Sequence, residues 1–308
     1  VFCGLLLKQQ NSESALKVEP ECASCLLSRA QIQTYQATTN PALRFRCLAE
    51  IIKLLNREFK PTSCAAVIGT KRDRIIRKLT DCDDPYKYNK KLANQKALKM
   101  RSHAKKMVES GYNQQERFKK AVLCAIVGNI MEFDIPGHRF TLNSLATVMR
   151  EAAKDLVIDD IDKAYELAKK AQSVLFLADN AGEIVFDTLL VEQLKNMGLK
   201  VIYVVKGGPV INDATMEDAE ISDMDKLADD VITTGADAVG LQKEECSAEF
   251  LKVYEDAELV FAKGMGYAET LTEYKLTKPH FLMFRTKCTP VANYFCVPRD
   301  KNVAKLLT

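Results

Sequence analysis

The hydrophobic rhythm of the chain changes near residue 172. Before that point apolar residues recur at helical spacing. Leu43, Leu48, Ile51, Ile52, Leu54 and Leu55 mark one apolar face, and Ile75, Ile76 and Leu79 another. The stretch holding Leu92, Lys96, Leu98 and Lys105 continues without Gly or Pro until Gly111. Phe118 to Ile130 reads as a buried helix ending near Gly128-Asn129. Pro136-Gly137 marks a turn. Amphipathic helices are expected over Ser144 to about Val157 and over Asp160 to Ala171. Residues 20 to about 165 are thus predicted to be helical.

Beyond residue 172, short apolar runs alternate with helical segments. The runs are Val174–Leu177, Val201–Val205, Asp230–Thr234, Leu259–Ala262 and Phe281–Phe284. A helix is expected from about Glu183 to Met197, with Gly198 as its stop. Continuous apolar strands alternating with helices predict a parallel sheet covered on both faces. The fold class is therefore α/β, a doubly wound, mostly parallel sheet with an N-terminal helical domain. The boundary is placed at 165, giving a helical domain over 1–165 and an α/β domain over 166–308.

Composition narrows the functional classes. The chain has 308 residues, 47% apolar and 28% charged, which excludes wholesale disorder and coiled coil. No apolar run approaches the roughly 20 residues of a membrane helix. Val1–Leu7 is apolar but short, with no basic residues before it, and does not read as a signal peptide. Residues 1–150 carry 26 Lys and Arg against 13 Asp and Glu, whereas 151–308 carry 18 against 28. The simplest reading is basic helix faces docked on an acidic partner domain. No RNP or zinc-finger pattern accompanies the basic half, so no nucleic-acid partner is expected. The ten cysteines are scattered, apart from Cys22 and Cys25, and suggest a reducing, cytoplasmic compartment. That pair reads as structural thiols, as part of a metal site with a distant third ligand, or as a redox couple. The histidines His103, His138 and His280 are isolated and are expected to be surface or packing residues.

In an open parallel sheet, ligands bind beyond the carboxyl ends of the strands. The first such end carries Asp179-Asn180, a carboxylate beside an amide oxygen, which suits a hard cation such as Mg²⁺ or Mn²⁺. Asp179 reads equally as a cap for the helix that follows. Gly182-Glu183 opens that helix, whose N-terminus suits a phosphate. Glu183 could orient water or act as a general base, or serve as a favourable first-turn charge. The second strand leads to Asn212-Asp213-Ala214-Thr215; Asp213 is a second candidate ligand, or an Asx-turn residue. The Gly264-Met265-Gly266 turn could approach a ligand closely at Gly266. Lys287, after the fifth strand, could bind a phosphate as a point charge, or lie on the surface. The dinucleotide fingerprint, the P-loop and the G-x-S-x-G elbow are all missing from the sequence.

The strings Asp179-Asn180-Ala181-Gly182-Glu183, Asn212-Asp213-Ala214-Thr215 and Lys263-Gly264-Met265-Gly266 occur in that order. They follow Cys22-Ala23-Ser24-Cys25, Asp84-Pro85-Tyr86 and Gly128-Asn129-Ile130-Met131-Glu132-Phe133. Together they resemble the DUF89 (ARMT1-like) family of metal-dependent damage-control phosphatases, in its microbial branch with an N-terminal Cys-x-x-Cys. The resemblance runs from about residue 20 to 298. It implies a helical domain on a Rossmann-like α/β/α domain, and one divalent cation (Mg²⁺, Mn²⁺, Co²⁺ or Ni²⁺) on Asp179, Asn180 and Asp213. It further implies a small phosphorylated metabolite as substrate, with Asn129 and Lys287 lining the phosphate pocket. Two positions depart from the family pattern: Glu132 stands where Asp is usual, and Tyr267 where Asn is usual. Two alternatives are an S-adenosylmethionine-dependent carboxyl methyltransferase, and a non-enzymatic metal- or redox-sensing module built on Cys22 and Cys25.

Overall fold

The computed structural model describes residues 15–130 and 150–308, and only the backbone at 129 and 130. Five long helices come first: α1 (Glu21–Ala37), α2 (Pro41–Glu58), α3 (Ala65–Thr80), α4 (Lys87–Glu109) and α5 (Gln114–Ile130). Local signals set their starts. Asn40 caps α2 by accepting from the N–H groups of Ala42 and Leu43, and Pro41 fills the first helical position. The expected turn at Pro136-Gly137, the site of His138, and the first residues of the helix expected from Ser144 lie outside the described residues.

The α/β part follows as β1 (Leu156–Asp159), α6 (Ile161–Ala168), β2 (Ser173–Leu177), α7 (Glu183–Asn196) and β3 (Lys200–Val205). Next come α8 (Met216–Ile221), α9 (Met224–Leu227), β4 (Asp230–Thr233), α10 (Ala248–Asp256) and β5 (Leu259–Lys263). The chain closes with α11 (Met265–Leu271), β6 (His280–Arg285), α12 (Thr289–Tyr294) and β7 (Asn302–Leu307). The described strands form a seven-stranded sheet in the order β1-β7-β6-β5-β2-β3-β4. Pairing is parallel except between β6 and β7. The doubly wound, mostly parallel α/β class expected from the sequence is therefore what forms.

Two elements differ from expectation. β1 occupies the end of the stretch predicted to be helical as far as Val157, and β7 was not foreseen. Both lie towards one edge of the sheet, where partly exposed residues break the apolar run: β1 is short and alternates along its length, and β7 ends in three half-buried residues.

Alternation along each strand divides the core between two faces. Val174 and Phe176 point with Tyr203 and Phe261 towards α4, α5, α6 and α7. Leu175 and Leu177 point the other way with Val260, Leu282 and Phe284, towards α10, α11 and α12. Helices α1, α2 and α3 hold a smaller cluster of their own around Cys47, Ile51, Ile68 and Ile76.

The charge asymmetry of the chain is spent at the contact between the helices and the sheet region. Arg74 Nη2 lies 2.6 Å from Asp237 Oδ1 and 2.9 Å from Glu245 Oε2. Arg77 also pairs with Asp237. Lys105 reaches Glu192 at 2.7 Å, and Lys119 reaches Asp159 at 2.9 Å. Burial alone would raise the Asp237 carboxyl, but Arg74 and Arg77 hold it below the usual range. Each exposed pair contributes at most about 1 kcal/mol, so they fix orientation more than stability.

Glu269, on α11, faces the start of α3 and accepts the Ala66 N–H; burial pushes its pKa from 4.5 up to about 7. The folded protein therefore holds this proton more tightly than the unfolded chain. The resulting stability is complete below about pH 4.5 and is lost as pH rises through about 7. Relative to wild type, Glu269→Gln is expected to gain on the order of 1–3 kcal/mol at pH 8 and little at pH 4.5. Urea unfolding at the two pH values checks this; an equal difference at both would contradict it.

Candidate active site

The carboxyl ends of β2 and β5 flank the point where the winding of the sheet reverses. From β2 the chain steps outward to β3 and β4, then returns to place β5 on the other side of β2. Helices leave on opposite faces there, which opens a crevice above the strand ends. Asp179 and Asn180 follow β2, Asp213 lies in the loop after β3, and Gly264 follows β5.

Backbone bonds lock the first two loops together. Asn180 and Asp213 form an antiparallel bridge. Ala181 N–H donates to Asn212 O at 2.9 Å, and Ala214 N–H to Asp179 O at 2.8 Å. Such a bridge sets the two Cα atoms roughly 4.5–5.5 Å apart. Asp179, Asn180 and Asp213 are thus brought to one rim. Neither Asp caps a helix. Gly182 occupies the cap position of α7, and α8 is capped by a Thr215–Asp218 box.

The side chains are arranged around negative charge. Asn180 Nδ2 donates to Asp179 Oδ2 at 2.9 Å and to Glu183 Oε1 at 2.6 Å, so its two N–H donors are spent and its oxygen remains as an acceptor. Asp179 is raised well above the ordinary carboxylate range by burial first, then by the charges of Glu183 and Asp213; Lys263 and Lys287 pull the other way. Asp213 is pushed up to about 6 by burial, against Lys206 and Lys90. Lys206 Nζ stands 3.6 Å from Asp213 and donates to Gly240 O at 2.7 Å. Gly264 makes room for this crowd: at φ 91°, a β-carbon there would fall 2.1 Å from Asp179 Oδ2.

The residues present fit a small divalent cation. Two carboxylates share the rim with the Asn180 amide, and the charge of Asp213 adds to the raised proton affinity of Asp179 in a way a cation would relieve. The donor set counts only two acids. Among the described residues, no group of three or more His, Cys, Asp or Glu is disposed to hold an ion.

Other sequence-derived candidates fall in different places. Glu183 is buried and ion-paired, with Lys263 Nζ at 3.0 Å. The Gly182 N–H is taken by Asn94 Oδ1 at 2.6 Å and is not open to a phosphate. Gly266 packs against Val239 and Gly240, so the glycine that meets the acidic rim is Gly264. Lys287 is half-buried and acts on Asp179. Asn129 lies near the end of α5, and its side chain is outside the described residues, as is Glu132. Tyr267 is buried beside Lys206, which it contacts at 3.3 Å. Cys22 is half-buried and Cys25 exposed, both as free thiols in the first turns of α1.

Three contributors gave no usable signal in the sequence. Lys263, 1% exposed, bridges Glu183 and Asp187, with Asp187 Oδ1 at 2.8 Å. Burial would lower Lys263, but Asp187 and Glu183 outweigh it and raise it. Asn94 joins Gly182 to Asp218. Lys90 lies 3.3 Å from both Asp84 and Asp218, beside the Asp213 loop.

The fold and rim define a doubly wound α/β protein with a cluster of buried acids at its topological switch point. Known proteins place it further. The model of the damage-control phosphatase ARMT1-like domain matches residues 18–303. A damage-control phosphatase of Archaeoglobus fulgidus is 35% identical over 293 residues, covering 95% of this chain and 100% of that protein. The uncharacterized protein MJ0202 of Methanocaldococcus jannaschii is 36% identical, over 97% of this chain and 98% of that one. The crystal structure of a DUF89 family protein, PH1575 of Pyrococcus horikoshii, superposes with a TM-score of 0.83 at 31% identity, covering 94% of this chain and 98% of that one. The chain belongs to the ARMT1-like (DUF89) damage-control phosphatase family.

Lys263→Met would leave Glu183 and Asp187 buried without their cation. A loss of roughly 3–5 kcal/mol in urea unfolding is expected. A loss below about 1 kcal/mol would mean that these acids are not held ionised by Lys263.

Proposed function

We propose that this protein is a divalent-metal-dependent phosphatase acting on small phosphorylated metabolites. The observation that carries this reading is the convergence of Asp179, Asn180 and Asp213 on one rim, where the carboxylates raise each other's proton affinity. Relatives named damage-control phosphatases support it. Asp179 and Asp213 would hold the cation through carboxylate oxygens, and Asn180 through its amide oxygen. A divalent ion there would supply Lewis acidity towards a phosphoryl oxygen and lower the pKa of water.

The protein's own groups do the rest. The Asn180 amide fixes the orientation of Asp179 and Glu183 through its two N–H bonds. Lys287, near Asp179, would offset charge on the phosphoryl group. Lys206 and Lys90 keep Asp213 available as an anion at neutral pH. Glu183 fits a supporting role better than that of a general base, because Lys263 and Asn180 occupy its oxygens.

Asp213→Asn removes one carboxylate while keeping the shape of the rim. It is expected to weaken Mn²⁺ binding by calorimetry at least tenfold and to lower hydrolysis of an aryl phosphate together with it. A screen of sugar and nucleotide phosphates against Mg²⁺, Mn²⁺, Co²⁺ and Ni²⁺ would identify the substrate class. Unchanged metal affinity and turnover in the variant would overturn the assignment.

A further inference from the structure

Helix α3 carries three arginines, and only two of them end on described carboxylates. Arg74 is satisfied by Asp237 and Glu245, and Arg77 by Asp73 and Asp237. Arg72 is the most buried of the three, at 5% exposure, yet no described carboxylate pairs with it, and its Nε has no hydrogen-bond partner among the described residues. The acid next to it is already committed. Asp73 accepts from Gln33 at 2.6 Å, from the Ile211 N–H at 3.0 Å and from Arg77 Nε at 2.7 Å. A buried guanidinium without an acceptor is costly, and such a cost persists where a ligand supplies the acceptor.

The surroundings of Arg72 lead towards the rim along three routes. Its neighbour Asp73 holds Ile211, two residues before Asp213. Its charge is felt by Tyr86, whose N–H binds Asp84, which in turn pairs with Lys90 beside Asp213. It also interacts with Cys25, which neighbours Cys288, the residue after Lys287. The cations that act most on Asp179 are Lys263 and Lys287, and Arg72 is not one of them.

We propose that Arg72 is a second anion subsite, which binds an oxyanion carried by the substrate in addition to the phosphoryl group that is hydrolysed. The proposal rests on the phosphatase reading above and deepens it: the preferred metabolites are phosphate esters that also bear a carboxylate or a second phosphate. The planar fork of arginine matches either group in a two-bond geometry.

Wild-type protein and Arg72→Met, each with Mn²⁺, are titrated calorimetrically with methylphosphonate, phosphonoacetate and methylenediphosphonate. These non-hydrolysable probes carry one phosphonate, a phosphonate plus a carboxylate, and two phosphonates. Wild type is expected to bind one or both two-anion probes at least about tenfold more tightly than methylphosphonate. The probe bound more tightly identifies the second group. Arg72→Met is expected to lose that gain, to bind methylphosphonate unchanged, and to melt no lower than wild type without ligand. An equal loss on all three probes, or a lowered melting point, would make Arg72 a structural residue and overturn the proposal. So would the absence of any two-anion preference in wild type. Should Arg72→Met not fold, Arg72→Lys keeps the charge without the fork, and it must retain only part of the preference. If wild type hydrolyses no phosphate ester while the probe preference stands, the phosphatase reading fails and the subsite remains.

Discussion

The site depends on carboxylates held closer together than they would choose. Asp179 and Asp213 sit on loops zipped by backbone bonds, with Glu183 one helical turn beyond. Their side chains are held in turn: Asp179 by the Asn180 amide, Glu183 by Asn180 and Lys263, and Asp213 by Lys206. The protein meets their repulsion with lysines from other elements: Lys263 from β5, Lys206 after β3, Lys90 from α4 and Lys287 after β6. The lysines offset part of the acids' charge. The proposed cation would relieve the remaining repulsion.

The helical part of the chain takes part in this design. Asn94 on α4 fixes the Gly182 N–H and Asp218 together, and Asp73 on α3 fixes Ile211. Both loops that carry the rim are therefore braced from helices nearly a hundred residues or more earlier in sequence. Part of the basic excess of the first 150 residues pairs with acids of the later half, as in Arg74–Asp237, Lys105–Glu192 and Lys119–Asp159.

Much of this was legible in the sequence, for identifiable reasons. Central strands such as Val174–Leu177 and Val201–Val205 are continuous apolar runs, and polar loops follow them, so the places of Asp179 and Asp213 beyond strand ends could be read directly. β1 and β7 were hidden because they lie near the sheet edge, with polar residues mixed in. Among the glycines, the tight approach belongs to Gly264 and not Gly266, a difference set by which Cα faces Asp179. Lys263 looked like part of a loop, since nothing in its neighbours reveals two acids on α7 reaching it from across the sheet. Lys90 and Asn94 sit on a helix rich in polar residues, where periodicity does not distinguish a solvated face from a buried brace.

Diffraction from crystals soaked in Mn²⁺, with anomalous data at its absorption edge, tests the central claim most directly. The account predicts one strong peak at the switch point, about 2.1 Å from an oxygen of each of Asp179, Asn180 and Asp213. No peak there at saturating Mn²⁺ would contradict it.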